Sequence, residues 1–347
     1  YTLDHGFQVL LTSYPAAKKY LDYKALDLQK LLPGATIFKH GKAQTIGDPL
    51  RNISLLFPTL RSSIGKFSDK LKILKLNTIL KKKKITVIFK TEEKTTLQYL
   101  KDFGFSNDII KDFFTPFFSG IFLETELETS SRMFEFVYKM FGDGLAVIPK
   151  NGMQAIPNQL KNNLKSTTFK FNSLVKEVKD KHIILEDGHT LQSHITIIAT
   201  DASPLISNLK NQETQWKSCD TLYFQIEKSV INKPLIGLLA DEDALINNIF
   251  YHTSVATLNK KSKGLLSVTV IKNHQLEENV FIKKVVAELY SKCAIKDVTF
   301  LRRYQIKKAL PMLTNLQYEI SSTETKLKST IFLAGDQLLN GSLNAAM

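Results

Sequence analysis

The chain has 347 residues, 43% hydrophobic and 23% charged, enough apolar surface for one large core or two moderate ones and too little charge for bulk disorder. Lys and Arg number 47 against 33 Asp and Glu, a formal net charge of +14, which favours contact with phosphates and anionic membrane surfaces without dictating a fold. No apolar run approaches a membrane span, the longest being pieces such as Pro234 to Ala240, and no signal-peptide pattern opens the sequence. Cys219 and Cys293 lie far apart and make neither a metal spacing nor a disulfide framework. A reducing, cytoplasmic setting is expected, with at most a peripheral touch on a membrane.

In chain order, an apolar stretch from Phe7 to Leu11 leads to a helix starting near Pro15. Pro33-Gly34 precedes a strand, Ala35 to Phe38, that turns at His40-Gly41. From Asp48 to Met140 the texture is helical, with apolar residues three and four apart in Ile64 to Leu80, Leu97 to Phe105 and Ile109 to Phe118. Thr95-Thr96 offers a helix start and Gly104 a stop. Leu145 to Leu164 reads as strand-poor, with a turn at Pro149 to Gly152 and a helix from Met153 to Leu164. A compact β pattern follows. Phe169 to Val178 is expected to be a strand pair, His182 to Leu185 a strand, Glu186 to His189 a hairpin turn, and Thr190 to Ile198 the return. Further strands are expected at Thr221 to Ile226, Pro234 to Leu239, Asn248 to His252 and Gly264 to Ile271, with one helix from Asn279 to Cys293. Thr330 to Ala334 is a short buried strand, and a helix begins at Gly341.

The carboxyl end carries the strongest chemical signal. An apolar strand, Ile331 to Ala334, runs into Gly335, which lets the backbone turn tightly or lie against a ligand. Asp336 then supplies an acceptor for a ribose or ribityl hydroxyl, and Gly341-Ser342 opens a helix whose N–H groups suit an anion. The same pattern also occurs as plain strand termination and helix capping in any α/β protein.

Phe332 to Asp336 followed by Gly341 to Ala346 resembles the carboxyl-terminal FAD motif of the amine oxidase and phytoene desaturase superfamily. Three more segments match in the same order. Leu3 to Val9 is similar to the strand that passes the flavin ring. Pro149 to Pro157 is similar to the family's Gly-Gly-Met segment, with Asn151 in place of the first Gly. Val175 to Val178, with Asp187-Gly188 and Ile197 to Asp201, is similar to the strand that contacts adenine and the hairpin behind it. Phe113 to Leu123 resembles the phytoene-dehydrogenase-like branch. No Gly-x-Gly-x-x-Gly occurs in the chain, nor the acid that would hold the adenine ribose. In the family both precede the segment at Asp4, so the chain reads as one lacking its first nucleotide-binding unit.

The resemblance implies an α/β protein: a Rossmann-like FAD-binding domain (1–24, 143–212 and 313–347) interleaved with a substrate domain of mixed sheet plus helices (25–142 and 213–312). It implies an FAD-dependent oxidoreductase that oxidises or desaturates a small or lipophilic organic substrate. Gly6, Phe7 and Gln8 would pass beside the isoalloxazine, and Val175 would meet the adenine. Gly335 and Asp336 would serve the ribityl or pyrophosphate end, and Gly341, Ser342 and Leu343 the flavin pyrimidine. No general base stands out. His5 and Lys150 are candidates, against the plainer readings of a structural histidine and an exposed turn lysine. No metal site is expected.

Two features stand apart. Lys81 to Lys84 reads as a solvated helix end, or as a basic cluster beside an apolar face that could touch anionic lipid; no nucleic-acid partner is expected. The phenylalanines from Phe113 to Phe122 read as core or as the wall of a substrate tunnel. The rivals to an enzyme are a non-catalytic basic protein that binds a membrane surface or nucleic acid, and a cofactor-less scaffold of the same fold.

Overall fold

The computed structural model describes every residue except Phe7, 210–213 and 259–262, and omits the side chain of Asn208. The expected flavin-side position Phe7 and the expected domain boundary at 212/213 therefore lie outside the described residues. Helices account for 32% of the chain and strands for 25%, a mixed architecture as expected.

The main sheet has seven strands in the spatial order Val298–Pro311, Trp216–Ile226, Gly264–Val270, Ile246–Tyr251, Ile236–Leu239, Gly34–Lys39 and Lys42–Gly47. All neighbours are antiparallel except Ile236–Leu239 with Gly34–Lys39. Residues from 34–47 and from 216–311 thus share one sheet. Side chains alternate across it. Leu222, Phe224, Leu266 and Val268 face the helix Glu278–Cys293, whose Phe281, Val285 and Leu289 recur every four residues on one side. Thr221, Thr269, Asn248 and Leu238 face the other way and are successive cross-strand partners. His40 and Gly41, with φ of 50° and 72°, form the two-residue hairpin turn read from the sequence.

The helical segment packs a second core in which Leu76, Leu100, Phe114, Phe118 and Phe134 are buried. Thr95 caps the helix Thr96–Asp102 by accepting the Gln98 N–H, and Gly104 is left-handed at φ 87°, as their residue types imply. The chain from Asn107 to Phe122 is continuous helix with a widened turn at Ile110–Phe114. That turn lies just before Pro116, whose missing N–H leaves a carbonyl one turn back without its donor. Lys39 pins the wide turn to the sheet through Asp112 at 2.7 Å. The lysine run ends the helix Phe67–Lys82. Its last carbonyls, Leu80 and Lys81, accept from the buried Lys139 at 2.9 and 3.0 Å.

Four expectations need correction. Ala146–Pro149 is a strand, paired with Leu10–Leu11 and Leu28–Lys30; its short apolar run was hidden by the turn that follows. No strand forms between Phe169 and Leu174, so Phe169 to Val178 is not a strand pair. Thr190 to Ile198 divides between two sheets: Thr190–Gln192 pairs with His182–Leu185, whereas Thr196–Ile198 pairs in parallel with Ile331–Leu333. The 14-residue strand Val298–Pro311 was missed. It is an edge strand rich in Lys and Arg, the composition that keeps edges from pairing further and that masks a strand pattern.

Two stability effects follow. Phe281→Ala should cost about 3–5 kcal/mol in urea unfolding, because the ring is fully buried against the sheet. His252 is pushed down to about 4 by burial, from about 6.5 in the unfolded chain. Its neutral form is the folded one, so its contribution is complete above pH 6.5 and lost as pH falls towards 4, by roughly 3 kcal/mol. His252→Phe should flatten that part of the stability–pH curve.

Candidate active site

Between the sheet and the helical layer lies a cavity of about 2010 Å³. Pockets for one small ligand run to about 1,000 Å³, so this one has room for a cofactor and a substrate together. Of the sequence-predicted residues, His5, Gly6, Gln8, Asp336, Gly341, Ser342 and Leu343 all line it. They come from chain ends more than 300 residues apart.

Local structure explains their meeting. The strand Ile331–Leu333 ends at Gly335, whose φ of 131° is open to glycine alone, and Asp336 begins a short turn. Burial pushes the Asp336 carboxyl above the usual carboxylate range, and no ion pair among the described residues reaches it. Gly341 is left-handed at φ 59° and sits against Leu310 and Pro311. Ser342 caps the helix Leu343–Ala346 by accepting the Ala345 N–H at 3.2 Å, and its hydroxyl donates to Asn340 at 2.6 Å. Asn344 accepts the Ala16 N–H at 3.0 Å, tying this helix to Pro15–Tyr20 and so to the 5–8 segment.

The His5 ring is stacked on Tyr304 at 4.7 Å. Beside it, Asp4 accepts the Met153 N–H at 3.2 Å, and the Tyr223 hydroxyl donates to the Asp4 carbonyl at 2.7 Å. Burial raises the Asp4 carboxyl, against the Met153 N–H and the His5 charge, which lower it. In the Pro149 to Pro157 segment the left-handed residue is Gly152 at φ 81°, not Asn151, so the asparagine there imposes no strain.

Lys150 does not reach the cavity. Its ammonium pairs with Asp27 at 2.9 Å on the outer surface and holds that carboxyl below its usual range. The turn at Pro149 to Gly152 points it outward, and the catalytic candidacy of Lys150 is corrected accordingly. Val175 also lies away from the cavity, on the three-stranded sheet Val175–Lys179, His182–Leu185 and Thr190–Gln192. It packs near Ile331 and Ile198. Among the described residues no group of His, Cys, Asp and Glu could hold a metal ion.

The aromatic segment divides in two. Phe114 and Phe118 are core, whereas Phe113, Phe117 and Phe122 line the cavity. Gly120 lets this helix close on the sheet: a Cβ there would lie 2.7 Å from the Asn247 amide nitrogen.

Sequence reasoning missed the cavity floor. Thr221, Thr269 and Asn248 line it as one polar row across three strands. Asn248 donates to the Thr269 hydroxyl at 3.2 Å, while the fully buried Thr221 hydroxyl has no partner among the described residues. Alternation with Leu222 and Phe224 marks Thr221 as facing away from the helix, but alternation does not reveal what the other face meets.

A sequence profile described as flavin containing amine oxidoreductase matches residues 1–288. The chain belongs to this family. It is accordingly an FAD-dependent oxidoreductase. The matched span ends before Ile331, so the part played by the carboxyl-terminal turn rests on its geometry. No curated protein sequence matches this amine oxidoreductase. Among solved structures, cyclohexylamine oxidase from Brevibacterium oxydans is similar at 10% identity and a TM-score of 0.66, over 99% of this chain and 85% of that one. A putative protoporphyrinogen oxidase from Exiguobacterium sp. is similar at 13% identity and 0.64, over 98% and 84%. A CLA-producing fatty acid isomerase from P. acnes is similar at 12% identity and 0.67, over 98% and 84%. At these identities the likeness concerns the fold.

The cavity suits the family's cofactor on three observations of this chain. Asp336 is a half-buried acceptor with no cation partner among the described residues. Gly6 and Gly341 bring backbone to the cavity wall by close packing, since a Cβ would come within 3.3 and 3.1 Å of Ile306 and Leu310. The volume exceeds the need of a substrate alone.

Thr221→Val removes an unpartnered buried hydroxyl and keeps the shape. Its stability in urea should be unchanged or higher by up to about 1 kcal/mol.

Proposed function

We propose that this flavin oxidoreductase oxidises or desaturates a lipophilic substrate carrying a single polar group. The observation that carries the reading is the convergence of His5, Gly6 and Gln8 with Asp336, Gly341, Ser342 and Leu343 on one cavity that has an aromatic wall and a polar floor. When bound, FAD supplies the two-electron oxidation by taking hydride at its N5.

Asp336 would hold a ribityl or pyrophosphate-end hydroxyl, with Gly335 giving the backbone its turn. Gly341, Ser342 and Leu343 would present backbone to the pyrimidine edge, and Gly6 and Gln8 would run beside the ring system. Val175, on the neighbouring sheet, is assigned to the adenine end by resemblance alone. Phe113, Phe117 and Phe122 exclude water and accept the apolar body of the substrate. The polar row of Thr221, Thr269 and Asn248 lines the cavity and can hydrogen-bond the substrate's polar group and fix which C–H bond is presented. His5 lines the same space and is a titratable candidate for moving a proton. We assign 1–24, 143–212 and 313–347 to the cofactor domain, and 25–142 and 213–312 to the substrate domain.

The test is a flavin titration of the full chain followed by a substrate screen. FAD should bind with a shifted visible spectrum, and a lipophilic amine, alcohol or alkene-forming substrate should bleach it. Asp336→Ala should weaken FAD about tenfold to a hundredfold, the loss of a hydrogen bond to a charged group. Thr221→Val should raise KM for the substrate with FAD affinity unchanged. A full-length protein that binds no flavin at saturating FAD would be a scaffold of this fold instead.

A further inference from the structure

The helices that wall the cavity carry an apolar outer face that none of the described residues covers. Ten of the 23 exposed large hydrophobic residues among those described fall between Leu50 and Val87, although that stretch is a small part of the chain. Single exposed apolar side chains need no explanation, but a contiguous set marks a contact surface. Leu50, Ile53 and Phe57 are 82%, 75% and 60% exposed, and none of them lines the cavity. Leu50 and Ile53 precede the short helix Leu56–Arg61, which carries Phe57, and the longer Phe67–Lys82 follows. Leu56, Leu60, Phe67, Leu71 and Leu74 on these helices are exposed and line the cavity as well. The apolar face is therefore continuous with the cavity mouth.

The same stretch holds the chain's charge imbalance. Residues 50–90 contain eleven Lys and Arg and one acid, Asp69. Asp69 is fully buried, its carboxylate held by Ser106 and the Lys66 N–H. No acid is left exposed on this stretch. The Arg61 guanidinium lies 4.0 Å over the Phe57 ring, an arrangement that lets the ring enter an apolar layer while the charge stays at its boundary. Lys81, Lys82, Lys84 and Lys90 are exposed at the far end. No helix among the described residues is long and apolar enough to cross a membrane.

We propose that the face formed by residues 50–90 docks the cavity mouth onto an anionic lipid bilayer, with Leu50, Ile53 and Phe57 in the interface and the lysines against the headgroups. Apolar side chains interleaved with cations and free of exposed acids match that surface. A nucleic acid offers no apolar layer for Ile53 and Leu50, and a second copy of this face would set cation against cation. Docking needs no flavin, so its failure and the failure of the oxidoreductase reading are separable.

The experiment is sedimentation of the full chain with phosphatidylcholine vesicles, with and without phosphatidylserine. Binding should require the anionic lipid and weaken as salt rises. The double variant Ile53→Glu with Phe57→Glu, and separately Lys81→Glu with Lys82→Glu, should each reduce partitioning at least about tenfold, with circular dichroism unchanged. Two pairs at opposite ends of the face guard against a fold defect in either. Three results would overturn the proposal: no anionic vesicle binding, vesicle binding that both pairs leave intact, or a dimer in lipid-free ultracentrifugation that Ile53→Glu with Phe57→Glu dissolves.

Discussion

The hydrogen bond from the Ala16 N–H to Asn344 holds together segments 328 residues apart in sequence. Closing so long a loop costs conformational entropy that no single contact repays. The link holds because the surrounding surfaces are already packed: Leu11 and Ala17 are buried in the main core, with Leu343 and Met347 packed against it. With that closure in place, His5, Gly6 and Gln8 share a cavity with Asp336. Without it there would be two unconnected loops.

The other walls follow from how each element spends its two faces. The sheet's apolar face is covered by Phe281, Val285 and Leu289, which frees its opposite face to carry Thr221, Thr269 and Asn248. Burying such a row is costly unless its members find partners. Asn248 and Thr269 pair with each other, leaving Thr221 as the unsatisfied member. The aromatic helix closes over this floor because Gly120 has no side chain to hold it off. One glycine thus decides how near the phenylalanines stand to the polar row.

The charge of the chain takes on meaning only when mapped. Spread evenly, a net +14 would be a solubility property. Concentrated on the stretch that also exposes Ile53 and Phe57 beside the cavity mouth, it describes a surface with a preferred side. Lys83 and Lys139 are internal to this arrangement, pairing with Glu135 and closing the end of the long helix.

The sequence by itself determined the local grammar: the His40-Gly41 turn, the Thr95 cap, the helix Glu278–Cys293, the Ile331 strand with its Gly335 turn, and the order of motifs that resembles a flavoenzyme. Each depends on residues a few positions apart, where backbone sterics and hydrogen bonding act directly. Strands were harder. The edge strand Val298–Pro311 hides behind its lysines and arginines, and Ala146–Pro149 is a strand only because Leu10 and Gln29 flank it. Tertiary structure alone decided that Lys150 faces Asp27 rather than the cavity, that Phe113 lines it while Phe114 does not, and that three polar residues on separate strands make one floor. Those outcomes depend on which face of an element meets which neighbour, and periodicity gives the faces without naming what lies opposite.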